Sequence, residues 1–254
     1  MDNDHSISYM RGFLPYAFAA FLVGIVGGLS TVLGPAFMLH MNLAYNNTTW
    51  TALSQAISTA ACAPILGKLG DIFGRRRTLL LGIIIYTLGN VLSALAPSLI
   101  FMLIARFIVG VGTAAIAPTV MSYIVTEFPP HQIGKGFSLY MLISSATVIF
   151  GPTLGGMIIN RWGWRVMMWL CVLISVVIFL ACLLTNKEKK APTKSLSGFD
   201  GLGSVFVLIF FSLTLCVPAF GQNFGWNSAA FLFVSIAAAL SLVILIWVER
   251  KAKT

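Results

Sequence analysis

The chain has 254 residues, 58% of them hydrophobic and 9% charged, with a mean hydropathy of +0.94. A soluble domain carries roughly a quarter charged residues, so these proportions exclude a water-soluble fold and imply an integral membrane protein. The formal charge of +9 could suggest nucleic acid, but the cations gather in short segments between apolar runs, as a topology signal does; no nucleic-acid partner is expected.

Windows of about twenty apolar residues predict eight helical spans, near 14–38, 50–67, 78–96, 99–121, 137–159, 166–185, 202–221 and 229–248. Barrel strands would be about ten residues long and alternate in polarity, and no such pattern occurs. The expected fold is an all-α membrane bundle.

The first span is too long for the apolar core of a cleavable leader and no convincing cleavage site follows it. Its Gly24, Gly27, Gly28, Gly34 and Pro35 let membrane helices approach closely and bend. Span two sets Thr51, Ser54, Gln55, Ser58, Thr59 and Cys62 on one helical face. That face either hydrogen-bonds a neighbouring helix or walls a water-filled cavity.

Between spans two and three the residues Gly67, Lys68, Leu69, Gly70, Asp71, Ile72, Phe73, Gly74, Arg75, Arg76 and Arg77 read as a dense charged turn. Cationic short loops stay on the cytoplasmic side. With this turn inside, the cytoplasmic cations are Arg11, Lys68, Arg75, Arg76, Arg77, Lys135, Lys187, Lys189, Lys190, Lys194, Arg250, Lys251 and Lys253, while Arg161 and Arg165 lie outside. A multi-pass protein of the cell membrane with both termini cytoplasmic follows, and anionic lipid is an additional partner.

Span three carries Gly82, Tyr86, Gly89, Asn90 and Ser93 on one side, and the tight turn Ala96-Pro97-Ser98 leads into span four. There Arg106 stands well inside the span, followed at helical spacing by Gly110, Thr113, Ala114 and Ala117. A cation at membrane depth is costly, so Arg106 is expected to face the bundle interior with a partner. Span four closes at Thr126-Glu127-Phe128-Pro129-Pro130, whose prolines end the helix and bring Glu127 to the surface that holds Arg75 and Arg76.

Span five contains Gly151-Pro152-Thr153-Leu154-Gly155-Gly156, a small-residue seam with a proline that frees a backbone carbonyl. Three echoes then connect the first three spans to the next three. Gly34-Pro35-Ala36-Phe37-Met38 recurs as Ala117-Pro118-Thr119-Val120-Met121, Pro64-Ile65-Leu66-Gly67 as Pro152-Thr153-Leu154-Gly155, and Phe73-Gly74-Arg75-Arg76 as Trp162-Gly163-Trp164-Arg165. A copy three spans later runs the opposite way through the membrane, which defines an inverted three-plus-three repeat.

A basic polar segment, 186–200, separates the sixth span from a hairpin of two more. Cys62, Cys171, Cys182 and Cys216 all fall inside predicted spans without metal-ligand spacing; they read as apolar packers, and no metal site is expected.

Gly67, Leu69, Gly70, Asp71, Gly74, Arg75 and Arg76 form a pattern, G-x-L-G-D-x-x-G-R-R, that resembles the loop between spans two and three of the major facilitator superfamily, although Ile72 stands where that family usually has a cation. Leu103, Arg106, Gly110 and Gly112 are similar to its span-four motif, with Val109 in place of the common glutamine, and the Gly151, Pro152, Gly155, Gly156 set resembles the span-five motif of its exporters. Phe199-Asp200-Gly201-Leu202-Gly203 looks like the entry to span seven in the fourteen-span drug:proton antiporters of EmrB/QacA type.

The resemblance implies a six-span facilitator half at 1–185, a cytoplasmic basic linker at 186–200, and two extra spans with a cytoplasmic tail at 201–254, the C-terminal half being absent. It further implies a secondary transporter that exports drugs or lipophilic small molecules in exchange for protons. Asp71 and its arginines would latch a cytoplasmic gate with Glu127 as partner. Arg106, Gly110 and Gln55 would serve proton coupling and the cavity, and the span-five motif would mark an antiporter. The energy source would be the proton gradient, with no cofactor.

No acid lies well inside any span, so a proton-binding carboxylate would have to come from elsewhere or the coupling must differ. A single half is also expected to leave its polar face, Arg106 and the Thr51 to Thr59 stripe included, open towards lipid. A membrane-embedded enzyme would need a catalytic cluster at membrane depth, and none is found, so no enzymatic activity is expected. A non-transporting fragment or subunit that needs a second six-span chain, or that self-associates, stays open as the alternative.

Overall fold

The computed structural model describes residues 2–41, 45–185 and 201–252, with side chains for 13–39, 47–184 and 206–246. The described residues form eight long helices: α1 (Asp2–Met41), α2 (Tyr45–Phe73), α3 (Arg75–Ala94), α4 (Leu99–Glu127), α5 (Ile133–Trp162), α6 (Trp164–Thr185), α7 (Gly201–Phe224) and α8 (Ala229–Ala252). All eight are long and apolar enough to cross a membrane. The basic segment 186–200 lies outside the described residues.

The helices outrun the predicted spans because backbone hydrogen bonding continues past the apolar stretch into residues that need not be buried. The largest consequence falls on 67–77. The dense charged turn expected there is not a turn: Gly67–Phe73 complete α2, Arg75 opens α3, and Gly74 alone breaks the helix, with φ 96° and ψ 136°. A residue with a Cβ is strained at that φ, whereas glycine is not. Gly163 does the same between α5 and α6, with φ 85° and ψ 163°. The two breaks occupy the paired positions of the third sequence echo.

Packing follows the same repeat. The first three helices and the next three form two inverted units, so that α1 against α5 corresponds to α4 against α2, and both pairs are among the most extensive contacts of the bundle. The helix α3 packs on α6, its own counterpart. The hairpin of α7 and α8 lies outside this arrangement and rests on α2, where Trp50 meets Phe220 edge to face at 5.5 Å.

Two apolar clusters fill the bundle, one towards each end. Near Gly74 the core includes Phe13, Tyr16, Leu79, Ile124 and Phe128; near Pro97 it includes Leu33, Phe37, Met102, Ile159 and Trp164. Burial of such side chains stabilises by about 1.5–3 kcal/mol each when the alternative is water, but in lipid the gain comes from packing and internal hydrogen bonds. The many exposed leucines, isoleucines and phenylalanines on α5, α6 and α8 suit such a solvent.

Helix ends obey local chemistry. Ser98 caps α4, its Oγ accepting from the Phe101 N–H at 3.4 Å. Phe128, which precedes Pro129, is extended (φ −83°, ψ 141°) and ends α4 as a residue before proline should. Pro15, Pro35, Pro64, Pro118, Pro152 and Pro218 lie inside helices, which membrane bundles accommodate.

Candidate functional site

Two polar assemblies stand out, both built on α4. The first lies at its C-terminal end. Arg75, in the first turn of α3, donates Nε–H to Ser122 Oγ at 2.9 Å and Nη1–H to Thr126 Oγ1, and its Nη1 lies 3.8 Å from Glu127 Oε1. Ser122 in turn donates to Asp71 Oδ1 at 3.2 Å. Asp71 therefore meets the arginine through a hydroxyl, in the last turn of its own helix, and grips α4 across the break at Gly74.

Arg76 does not join Glu127. Its Nη2 donates to the Leu183 carbonyl of α6 at 3.0 Å. Gly67 and Gly70 face α4 and α3 with room for a side chain: a Cβ on Gly67 would make an ordinary contact with Pro118 at 3.4 Å, and one on Gly70 with Thr119 Oγ1 at 3.6 Å. Leu69 is half-buried.

The second assembly surrounds Arg106, which is only 6% exposed. Its Nη1 donates to Gln55 Oε1 at 3.3 Å, its Nη2 to Met168 Sδ at 3.0 Å, and its guanidinium carbon stands 5.8 Å from the Phe37 ring centroid. An amide oxygen, a thioether and an aromatic face thus hold the cation, and among the described residues no carboxylate pairs with it. Ser30, Leu33, Gly34, Phe37, Thr48, Thr51, Ala52, Gln55 and Arg106 line a small pocket between α1, α2 and α4.

Gly110, one turn from Arg106, makes this geometry possible. A Cβ there would overlap Ser58 Oγ and the Gln55 carbonyl, so only glycine lets α2 and α4 close enough to bring Gln55 to the guanidinium. Hydroxyls stitch the contact: Ser54 Oγ donates to the Leu103 carbonyl at 2.8 Å, and Thr59 Oγ1 lies 3.1 Å from the Gly110 carbonyl.

This corrects the expectation that the stripe from Thr51 to Thr59 stays open. Thr51, Gln55 and Ser58 are buried, because this face of α2 is spent on α4. Arg106 is enclosed for the same reason. The seam of span five lies elsewhere: Gly151 meets Gly28 of α1, where a Cβ on Gly151 would stand 3.1 Å from the Gly28 Cα, and Gly155 packs on Leu29. Gly156 has more room, with Val32 Cγ1 at 3.9 Å, and α5 runs unbroken through Pro152.

Sequence reading missed Ser122, Thr126, Phe37 and Met168. The first two stand four apart and so share one side of α4, but neither lies three or four residues from Glu127, so spacing from that acid does not point to them. Met168 carries no such signal, because a thioether on α6 looks like any apolar packer until α6 is placed against α3 and α1, within reach of the guanidinium.

An inverted repeat of three helices is the plan of many membrane transport folds. The chain belongs to the Major Facilitator Superfamily, whose match covers residues 16–254, and it is a multi-pass membrane protein.

Among similar proteins, multidrug transporter protein MdtP of Bacillus subtilis (strain 168) is 29% identical over 236 residues, covering 91% of this chain and 40% of that protein. Multidrug resistance protein Stp of Mycobacterium tuberculosis (strain CDC 1551 / Oshkosh) is 26% identical over 204 residues, covering 80% and 38%. The chain thus spans about 40% of the length of these relatives.

The fold is likewise similar to a peptide transporter POT (E310Q mutant) crystallised with sulfate, at TM-score 0.68 and 16% identity over 92% of this chain and 50% of that one. It is similar too to the inward open xylose transporter XylE from E. coli, at TM-score 0.59 and 16% identity over 90% and 55%.

Proposed function

We propose that this chain supplies the first six-span half and the central hairpin of a proton-coupled exporter of drugs or lipophilic small molecules, of the fourteen-span branch. Its function is alternating access, in which this half rocks against a second six-span half around a midplane site. The Gly74 end faces the cytoplasm, as do both termini.

One observation carries the reading: α4 holds both Arg106, in the buried pocket, and Ser122, Thr126 and Glu127, in the clasp on α2 and α3. From Arg106 the clasp begins roughly 24 Å along the helix at Ser122 and ends roughly 32 Å along it at Glu127, at 1.5 Å per residue. One continuous helix, with Pro118 between the two sets, joins pocket to clasp, so movement at one end can be felt at the other. The clasp is held by hydrogen bonds and one half-exposed ion pair, each worth about 1 kcal/mol, so it can open in a transport cycle. Likeness to proteins named as multidrug transporters supports the substrate class.

The test is flux in proteoliposomes. Under an imposed proton gradient this chain alone should move no lipophilic dye, and adding the C-terminal six-span half of a similar multidrug transporter should restore gradient-dependent export. Export by the chain as a monomer would overturn the need for a second half. Absence of any flux with that half, in complexes shown to assemble, would overturn the exporter.

A further inference from the structure

We infer that the pocket beside Arg106 binds one ordered water molecule, which joins the guanidinium of α4 to hydroxyls of α1 and α2. The inference concerns how this half is held together and does not depend on the exporter reading.

Size is the first argument. The cavity measures about 20 Å³, and one water needs roughly 10–15 Å³ by the same measure. Leu33, Phe37 and Thr51 are each no more than 4% exposed and pack its walls, so it seats nothing much larger. Ala52 is exposed at the rim and leaves a way in.

Hydrogen-bonding capacity is the second. Ser30 Oγ donates its hydrogen to the Val26 carbonyl at 2.7 Å, and Thr51 Oγ1 donates its own to the Thr48 carbonyl at 2.7 Å. A hydroxyl has one hydrogen and two lone pairs, so towards the cavity both residues act as acceptors. Arg106 presents five N–H donors and no acceptor, and its two hydrogen bonds go to Gln55 Oε1 and Met168 Sδ. Donor and acceptors therefore line one small space without bonding to each other. A water accepts from the arginine and donates to the two hydroxyls, which suits all three.

The same pattern decides against other occupants of that size. A metal cation would be repelled by the guanidinium, and a halide, which only accepts, would face hydroxyl lone pairs. A dry cavity would leave buried polar groups short of partners, which folded proteins avoid.

Position is the third. The contact of α1 with the guanidinium is the Phe37 ring, whose centroid stands 5.8 Å from the guanidinium carbon. A water bonded to Ser30 adds a polar bridge from α1, and bridges of this kind are enthalpically nearly as good as direct hydrogen bonds. Helices α1, α2 and α4 then meet at one molecule.

The experiment uses the full chain in nanodiscs, with nitrogen-15 in its arginines, and records magnetisation transfer from water to the Arg106 Nε–H by NMR. That signal is assigned by its loss in Arg106→Lys, which keeps the charge. The native chain is expected to show a rotating-frame cross-peak from water whose sign marks direct proximity and not chemical exchange. Gly34→Ala should erase it. Gly34 lines the pocket, and a Cβ there meets only Thr48 Oγ1, at 3.9 Å, so the added methyl group takes the space of the water without a clash. The variant also keeps every hydroxyl, so a signal relayed through Ser30 or Thr51 would survive it. Gly134→Ala, on α5 and away from the pocket, should leave the cross-peak unchanged.

Should Gly34→Ala fail to fold, Ser30→Val fills the same space from α1, removes one acceptor and should erase the cross-peak as well. No water cross-peak to Arg106 in the native chain, or one that persists in the folded pocket variant, would overturn the inference. Neither result bears on flux, so the exporter reading would stand or fall separately.

Discussion

Thr87 on α3 donates to Ser175 on α6 across 2.8 Å, and measured from Gly74 and Gly163 the two hydroxyls hold equivalent places in the two repeats to within one residue. A contact between counterparts is what a two-fold axis in the membrane plane produces where it crosses a helix pair. The ends of that pair repeat the theme. Arg76 caps the carbonyl of Leu183 at 3.0 Å, and Arg165, its counterpart, donates to the carbonyl of Ala96 at 3.3 Å while stacking on Trp164 at 4.6 Å.

These three contacts should act independently, being far apart. A double-mutant cycle of Thr87→Val and Ser175→Ala is expected to give a coupling of about 0.5–1.5 kcal/mol, read from denaturant unfolding in detergent. Zero coupling would mean that the two hydroxyls are satisfied by their own helices, for which the Ile83 and Val172 carbonyls stand ready at 2.7 and 2.8 Å.

Gly110 and Gly134 should respond oppositely to alanine. Gly110→Ala forces α2 and α4 apart and should destabilise by about 2–3 kcal/mol. Gly134 in the first turn of α5 has nothing within 4 Å of a built Cβ, so Gly134→Ala should stabilise by up to about 1 kcal/mol through helix propensity. Thermal midpoints of the two variants check both signs.

At the clasp, arginine should matter more than glutamate. Glu127 is 56% exposed and its pair with Arg75 spans 3.8 Å, so Glu127→Gln should cost under about 0.5 kcal/mol and less at high salt. Arg75→Ala also loses the bonds to Ser122 and Thr126 and should cost about 1–2 kcal/mol. Equal losses for the two variants would mean that the ion pair, and not the hydroxyl pair, holds the clasp.

Orientation can be read with single cysteines. Pro97 and Gln222 are exposed at one end of the bundle, and cysteines there should react in intact cells with an impermeant thiol reagent. A cysteine at Ser195 should react only after permeabilisation. Choosing Pro97 spares Ser98, whose hydroxyl caps α4. Labelling of the Ser195 site in intact cells would reverse the proposed topology.

The sequence by itself determined the existence and order of the eight helices, because a bilayer demands long apolar runs with internally satisfied backbones. It also revealed the inverted repeat: Gly74 and Gly163 are needed where the chain reverses with positive φ, and that need is local. Arg106 as an interior cation was legible for a similar reason, since a charge in a span cannot face lipid.

What the tertiary structure decided is which surfaces meet. Whether the polar face of α2 is open or buried depends on how near α4 approaches, and Gly110 sets that distance. The partners of Arg106 come from three other helices, Phe37 of α1, Gln55 of α2 and Met168 of α6, and those of Arg75 from α4. Spacing along the chain reports which residues share a helix face; it carries no information on which face of another helix will lie against it, because that choice is made by shape complementarity among all the helices at once.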